Sequence, residues 1–364
     1  MVYKAIGVMS GSSLDGLDIV LAELEESAGT WKYDIVCSHC YEFDNNWKEK
    51  LIGATDLNAL EYQLLHTAFG HYMGKKMVEF INSNDLSHQV HFIACHGHTT
   101  FHLPKLQMTH QLGEGAAIAA ETGLPVITDF RSLDIALGGQ GAPIVPIGEN
   151  LLFPEFYNFL NIGGIANISF KDDNRIIGFD ICPANKVLNM LAEDCGFKYD
   201  EDGKIAAKGT VILPLLNQLN DLEYYKLSHP KSLANSFGID IVYPLIKSFK
   251  LKEEDSLATY VEHITIQVFN AFKLNGTNKV QGQKLLVTGG GALNKYLIKK
   301  LSELLKNIGI EVYLPGNDII NYKEALIIAL MGTLRWREQN NVLSSVTGSS
   351  RNSIGGSLWM GGEG

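Results

Sequence analysis

Residues 157–185, YNFLNIGGIANISFKDDNRIIGFDICPAN, decide the fold. Three apolar-rich runs, Tyr157–Ile162, Asn167–Lys171 and Arg175–Asp180, are divided by Gly163-Gly164 and by Asp173-Asn174, and they read as three strands joined by tight turns. A helix over Lys186–Glu193 follows at once. The same plan stands at the start of the chain, where Lys4–Val8, Ile19–Leu24 and Asp34–Phe43 read as strands and MSGSSLDG as the first turn. A β-hairpin with a glycine-rich turn opening each half predicts a duplicated α/β unit, with a ligand-binding cleft between the copies.

Outward from these meanders the pattern becomes β–α crossovers. Leu60, Leu64, Phe69, Tyr72, Met77 and Phe80 are spaced for the buried face of one helix. His91–Cys95 reads as a short buried strand, the stretch around Ala116–Thr122 as a helix and Pro125–Thr128 as a strand. Ile135–Pro146 (IALGGQGAPIVP) is too rich in Gly and Pro for one regular element. Further on come a strand at Lys284–Val287, a helix at Lys295–Leu305, a strand at Glu311–Leu314 and a helix at Lys323–Arg337. The boundaries this suggests are 1–134 plus about 340–364 for one domain and 135–339 for the other.

Bulk properties narrow the function. A chain of 364 residues exceeds one ordinary core, and 46% hydrophobic with 19% charged residues suits a folded protein. A net charge of −10 argues against a nucleic-acid partner, whose phosphates need Lys and Arg. No basic-then-apolar leader and no bilayer-length apolar run is present, so a cytoplasmic location without membrane contact is expected. Five cysteines are an odd, sparse set expected to be reduced; Cys37 and Cys40 form a CxxC in a strand-like run, where they point to opposite faces.

The sequence lacks GxxxxGK[ST], HExxH, an HRD–DFG pair and GxSxG. What carries chemistry is a set of glycine turns between strands. Gly11, Ser12, Ser13, Leu14, Asp15, Gly16, Leu17 and Asp18 form a turn that offers backbone N–H groups and hydroxyls to an anion. Asp15 and Asp18 would repel phosphate unless Mg²⁺ stands between them; a plain hairpin turn is the alternative. Gly163 and Gly164 repeat the turn in the second half. Gly289, Gly290 and Gly291 join a buried strand to a helix, either to let a flat ligand and a phosphate approach or as a tight connection alone. Asp180 reads as a strand-end carboxylate suited to a general base, or as a cap for the next helix. Asn185 suits a phosphate or a sugar hydroxyl. His96, His98 and His102, with His110 beyond, suit hydrogen bonds to substrate hydroxyls or a metal. Arg131 suits a bidentate clamp on a carboxylate or an ordinary interdomain ion pair.

These motifs in this order, MSGSSLDGLD, HGHTTFH, TDFRSLDIALGGQGAPIVP, NIGGIANIS, GFDICPAN, VTGGGALN, KEAL and SVTGS, resemble the anhydro-N-acetylmuramic acid kinases, bacterial members of the actin/hexokinase/Hsp70 superfamily. The resemblance spans nearly the whole chain. It implies duplicated actin-like (ribonuclease H-like) α/β domains around a cleft. It also implies ATP- and Mg²⁺-dependent conversion of 1,6-anhydro-N-acetylmuramic acid to N-acetylmuramic acid 6-phosphate in cell-wall recycling. By the same resemblance Gly11–Asp18 hold the ATP phosphates, Asp180 activates water, Thr99, Arg131 and Glu324 meet the sugar, and Gly289–Gly291 face adenosine. The metal travels with ATP, and a homodimer is suggested. Departures fall beside the base: Ile181-Cys-Pro-Ala-Asn185 stands for Thr-Gly-Pro-Gly-Asn, with Asn189 for an acid, His98 for Gln and Ser12 for Thr. Two rivals share the superfamily. A chaperone-like ATPase expects a further peptide-binding domain, and a metal-dependent carbamoyltransferase-like enzyme expects metal on the histidines.

Overall fold

A computed structural model describes residues 1–11, 14–172, 175–229, 231–234, 236–274 and 283–362. In chain order the strands are β1 (Val2–Ser10), β2 (Gly16–Ser27), β3 (Thr30–Glu42), β4 (Phe92–Leu103), β5 (Met108–Leu112) and β6 (Val126–Thr128). They continue with β7 (Asn158–Ile162), β8 (Ile165–Asp172), β9 (Arg175–Pro183), β10 (Lys284–Thr288), β11 (Glu311–Tyr313) and β12 (Ser357–Trp359). One sheet runs β12-β6-β4-β1-β2-β3 with β5 attached to β4, and the other runs β11-β10-β7-β8-β9.

The duplication is visible in the pairing. In each sheet three consecutive strands form an antiparallel meander, and two later strands, β4 and β6 in the first sheet and β10 and β11 in the second, add in parallel on the far side of the first. With the β5 hairpin strand set aside, the two core sheets share one order, β3-β2-β1-β4-β6 matching β9-β8-β7-β10-β11, as a duplicated α/β unit requires. Crossovers through helices are what allow strands four and five to pair in parallel.

Contacts divide the chain into Met1–Pro154 with Tyr322–Gly364, and Glu155–Asn321. The sequence places the breaks at 134 and about 340; by contacts, 135–154 and 322–339 go with the first unit. The reason is close packing. A Cβ on Gly7 in β1 would lie 2.0 Å from Ala325 O and 2.9 Å from Ala329 Cβ, so the Asn317–Trp336 helix rests directly on that strand. A Cβ on Gly148, in the Pro146–Leu152 helix, would lie 2.4 Å from Ile327 Cγ1.

The first core joins Ile6, Val8, Ile19 and Leu21 of the sheet to the Ala59–Ser83 helix. That helix starts with a capping box between Asn58 and Glu61. Its buried stripe is Tyr62, Leu65, Phe69, Met73, Met77 and Phe80, while Leu60 and Leu64 are 69% and 62% exposed. The expectation that both leucines belong to the buried face is corrected: the stripe advances by three and four from Tyr62, which turns them outward. In the second unit Leu160, Ile162, Ile168 and Val287 pack with Leu188, Tyr260 and Ile264.

Two further corrections concern lengths. The short strand expected at His91–Cys95 runs on to Leu103, because His98–Leu103 pair with β5. Asp180 lies inside β9 rather than at its end, since the strand continues to Pro183. All five cysteines are free thiols. Among the described residues no helix is long and apolar enough to cross a membrane.

Candidate active site

In the first unit the strand order brings Arg131, Glu324 and Asp18 into one charge cluster. Arg131 precedes the short Ser132–Ala136 helix; its Nε donates to His96 Nε2 at 2.9 Å and its Nη1 to Gly141 O at 2.7 Å. Burial lowers its pKa to about 10, and the charge of Glu324 opposes that fall. Glu324 itself is raised by burial, against Lys323 and Arg131. Lys323, beside it, forms a buried ion pair with Glu149 at 2.7 Å. Asp18 is raised to about 6, first by burial and then by the charges of Glu324 and Asp15, while a hydrogen bond from Cys40 holds it down.

The glycine turn of this unit is shorter than expected. Gly16, Leu17 and Asp18 belong to β2, and Leu17 is fully buried, so only its backbone is available to a ligand. Ser12 and Ser13 lie outside the described residues. Leu14 sits at φ +59 with its N–H donating to Gly11 O at 3.3 Å. Asp15 is exposed. Gly16 is required sterically, because a Cβ there would come within 2.6 Å of Tyr41 O.

The histidine run is mostly internal. His96 and His98 are buried and held neutral by burial, with pKa values near 3 and 4; His98 Nδ1 meets Ser10 Oγ at 3.0 Å. Thr99 is exposed on β4. Among the described residues no group of three or more His, Cys, Asp or Glu is arranged to hold a metal ion. The Gly/Pro stretch is pinned by Asp134, which accepts from Gly141 N–H at 2.8 Å and from the Thr347 hydroxyl at 2.7 Å. Asp134, Lys323 with Glu149, and Gly7 are the supporting residues that sequence reading passed over. Gly7, preceding MSGSS in an apolar strand, was the one local signal available.

In the second unit Asp180 is not a helix cap. The Asn185–Glu193 helix is capped by Ala184, with no side-chain hydrogen bond. Asp180 instead accepts from the Leu233 backbone N–H through Oδ2 at 2.8 Å, and its own carbonyl accepts from the Tyr224 hydroxyl at 2.7 Å. Burial raises its pKa and the Leu233 hydrogen bond partly offsets that. The result is a carboxylate with one oxygen fixed and a proton affinity above the ordinary Asp range, the properties a general base needs.

Asn185 is bound to the Gly163-Gly164 turn. Its Nδ2 donates to Ile162 O at 3.0 Å and its backbone N–H to Gly163 O at 3.0 Å. The glycines themselves differ in cause. Gly289 has φ +82, and a Cβ on Gly291 would lie 2.2 Å from Ile162 Cγ2, so both are demanded by the strand-to-helix connection. At Gly163 and Gly164 the nearest atoms to an added Cβ are 3.6 and 3.9 Å away, and at Gly290 3.4 Å. Local packing does not account for those three. The departures beside Asp180 point inward: Ile181, Cys182 and Ala184 are buried in the core of this unit.

Fold and site together define a doubled α/β protein with glycine turns on both copies, a charge cluster on one and a single half-buried carboxylate, Asp180, on the other. The sequence model described as "Anhydro-N-acetylmuramic acid kinase" matches residues 3–361, and the chain belongs to that family. The anhydro-N-acetylmuramic acid kinase of Aliivibrio fischeri is 35% identical over 363 residues, covering 96% of both chains. That of Haemophilus influenzae is 35% identical over 370 residues, covering 94% of both. A solved structure, the activator of the 2-hydroxyisocaproyl-CoA dehydratase from Clostridium difficile with bound ADPNP, aligns at TM-score 0.45 and 17% identity over 93% of this chain and 96% of that one.

Proposed function

We propose that the protein is an ATP-dependent kinase that opens 1,6-anhydro-N-acetylmuramic acid with water and phosphorylates the freed O6. The product is N-acetylmuramic acid 6-phosphate, in cell-wall recycling. Family membership supports the reaction, and one observation carries the mechanism: Asp180 is a half-buried carboxylate held by Leu233 and free of any capping role. Asp180 takes a proton from water as the water oxygen bonds to C1. The C1–O6 bond breaks, and O6 takes the γ-phosphoryl group from ATP as ADP leaves.

Oδ2 of Asp180 is occupied by the Leu233 amide, which leaves Oδ1 to accept the proton. Gly11–Asp18 receive the phosphates. Gly163, Gly164 and Gly290, whose glycines local packing leaves unexplained, allow close backbone approach, and Gly289–Gly291 lie toward adenosine. Thr99, Arg131, Glu324 and Asn185 bind the sugar, with Arg131 on the lactyl carboxylate. Mg²⁺ carried by ATP supplies charge neutralisation for phosphoryl transfer. Asp15 and Asp18 fit it: burial and neighbouring carboxylates push Asp18 up to about 6, a strain that a cation would relieve. A cytoplasmic homodimer acting on a small molecule, not on nucleic acid or membrane, completes the reading and rests on the resemblance and the net charge of −10.

The test is ATP turnover with and without the anhydro sugar, with the product identified by mass spectrometry. Sugar-dependent ADP release with N-acetylmuramic acid 6-phosphate formed is expected. ADP release indifferent to the sugar would overturn the reading.

A further inference from the structure

Arg131 is held from behind by a histidine whose tautomer is fixed. His96 is 4% exposed, and its Nδ1 lies 2.9 Å from the carbonyl oxygen of Gly97. A carbonyl only accepts, so Nδ1 carries the proton and Nε2 holds the lone pair. That lone pair receives Arg131 Nε–H at 2.9 Å. A protonated ring would set one cation and one donor against another, and burial together with Arg131 holds the ring neutral, near a pKa of 3.

The backbone behind His96 is rigid as well. Gly97 has φ +75, and a Cβ there would stand 2.4 Å from Leu112 O, so the turn at Gly97 is locked by the pairing of β4 with β5. With Nε on His96 and one Nη1 hydrogen on Gly141 O, two of the five guanidinium N–H groups are spent, one on each side of the Arg131 stem. The fork geometry that suits a carboxylate is then that of the Nη1–Nη2 end, and the charge of Glu324 already acts on this guanidinium.

We infer that His96 is the positioning residue that turns Arg131 toward the substrate carboxylate, and so sets specificity for an anhydro sugar bearing a lactyl group over the same sugar without one. This rests on the proposed kinase activity and on Arg131 as the carboxylate partner. A histidine that merely fills the core would affect both sugars alike.

The experiment compares kcat/KM for 1,6-anhydro-N-acetylmuramic acid and 1,6-anhydro-N-acetylglucosamine in wild type, R131A, H96L, H96A and H96Q, with Tm measured for each. H96L keeps most of the ring's volume but no acceptor, and serves if H96A is poorly folded. Expected are loss of discrimination in R131A and a loss of at least about tenfold in H96L, mostly as raised KM for the lactyl sugar, as befits a misaimed charged hydrogen bond. H96Q, whose amide oxygen can accept from Nε, is expected to restore most of it. Wild-type discrimination in H96L or H96A alongside its loss in R131A would overturn the inference while sparing the Arg131 reading. Discrimination intact in R131A would overturn both. No turnover of the lactyl sugar by the wild type would overturn the kinase reading beneath them.

Discussion

The two units carry one strand order and two opposite electrostatic designs. In the first unit Asp18, Arg131 and Glu324 lie within reach of each other's charge, with the Lys323–Glu149 pair beside them, and the proton affinities of Asp18 and Glu324 respond to those neighbours as well as to burial. On the second, Asp180 has burial and one backbone hydrogen bond as the causes of its shift. A crowd of buried charges is suited to holding polar ligands, because incoming charge rebalances it. A solitary carboxylate is suited to proton transfer, because its affinity is set by the protein in advance. The shared scaffold fixes the strands; what differs is whether the charged residues on and beside them meet each other.

If the second unit does depend on one carboxylate, Asp180→Asn gives the largest effect. The amide oxygen can still accept from Leu233, so the fold is kept while kcat falls by roughly 10²–10⁴-fold, the usual worth of a general base. A rate within about tenfold of wild type would show that another group takes the proton. The pH profile follows from the same residue. The base must be ionised, and its pKa lies above the ordinary value of 3.8, so kcat is expected to fall on acidification at a pH above the ordinary Asp range. An acid limb at or below pH 4 would remove Asp180 from the role.

Next in size is the charge crowd of the first unit. Glu149→Gln removes the carboxylate charge 2.7 Å from buried Lys323, at an expected cost of about 3 kcal/mol in denaturant unfolding, the low end for a broken buried pair because Glu324 stands nearby. Unchanged stability would mean that the pair exerts no net force. Asp18→Asn should act the other way. The folded-state pKa near 6 exceeds the unfolded value of 3.8, so this group's ionisation opposes folding as pH rises from about 4 to 6 and throughout above it. At pH 8 the variant is expected to be more stable by roughly 3 kcal/mol, at about 1.4 kcal/mol per pKa unit, and by nothing below pH 4. It should also bind Mg-ATP less well. Equal stability at pH 8 would mean that Asp18 is not strained.

How much of this was legible depended on whether the cause was local. The meander at 157–180 could be read because turn residues and apolar runs alternate along the chain, and the doubled topology followed from finding it twice. Asp180 could be picked out by its motif, but not freed of the capping alternative, because only the fold shows that Ala184 takes that place. The His96–Arg131 bond joins residues 35 apart and the Lys323–Glu149 pair residues 174 apart. No local pattern marks such pairs. Leu60 and Leu64 depart from the sequence pattern for a related reason: a long helix offers more than one apolar stripe, and only contact with the sheet selects among them.

The smallest expected effect on stability is the most discriminating between a turn and a site. Gly289→Ala should cost on the order of 1–3 kcal/mol, because φ +82 is strained for any L side chain and a Cβ would meet Asn161 Oδ1 at 2.6 Å. Gly163→Ala should cost less than about 0.5 kcal/mol, since the nearest atom to its Cβ is 3.6 Å away. If Gly163 is glycine so that a phosphate can reach the backbone, that nearly silent substitution should still raise KM for ATP severalfold, with Tm unmoved. A fall in Tm without a change in KM would mean that the turn needs glycine for itself. The resemblance between the two halves would then lie in their folding alone, and the search for the phosphate site would return to Gly11–Asp18.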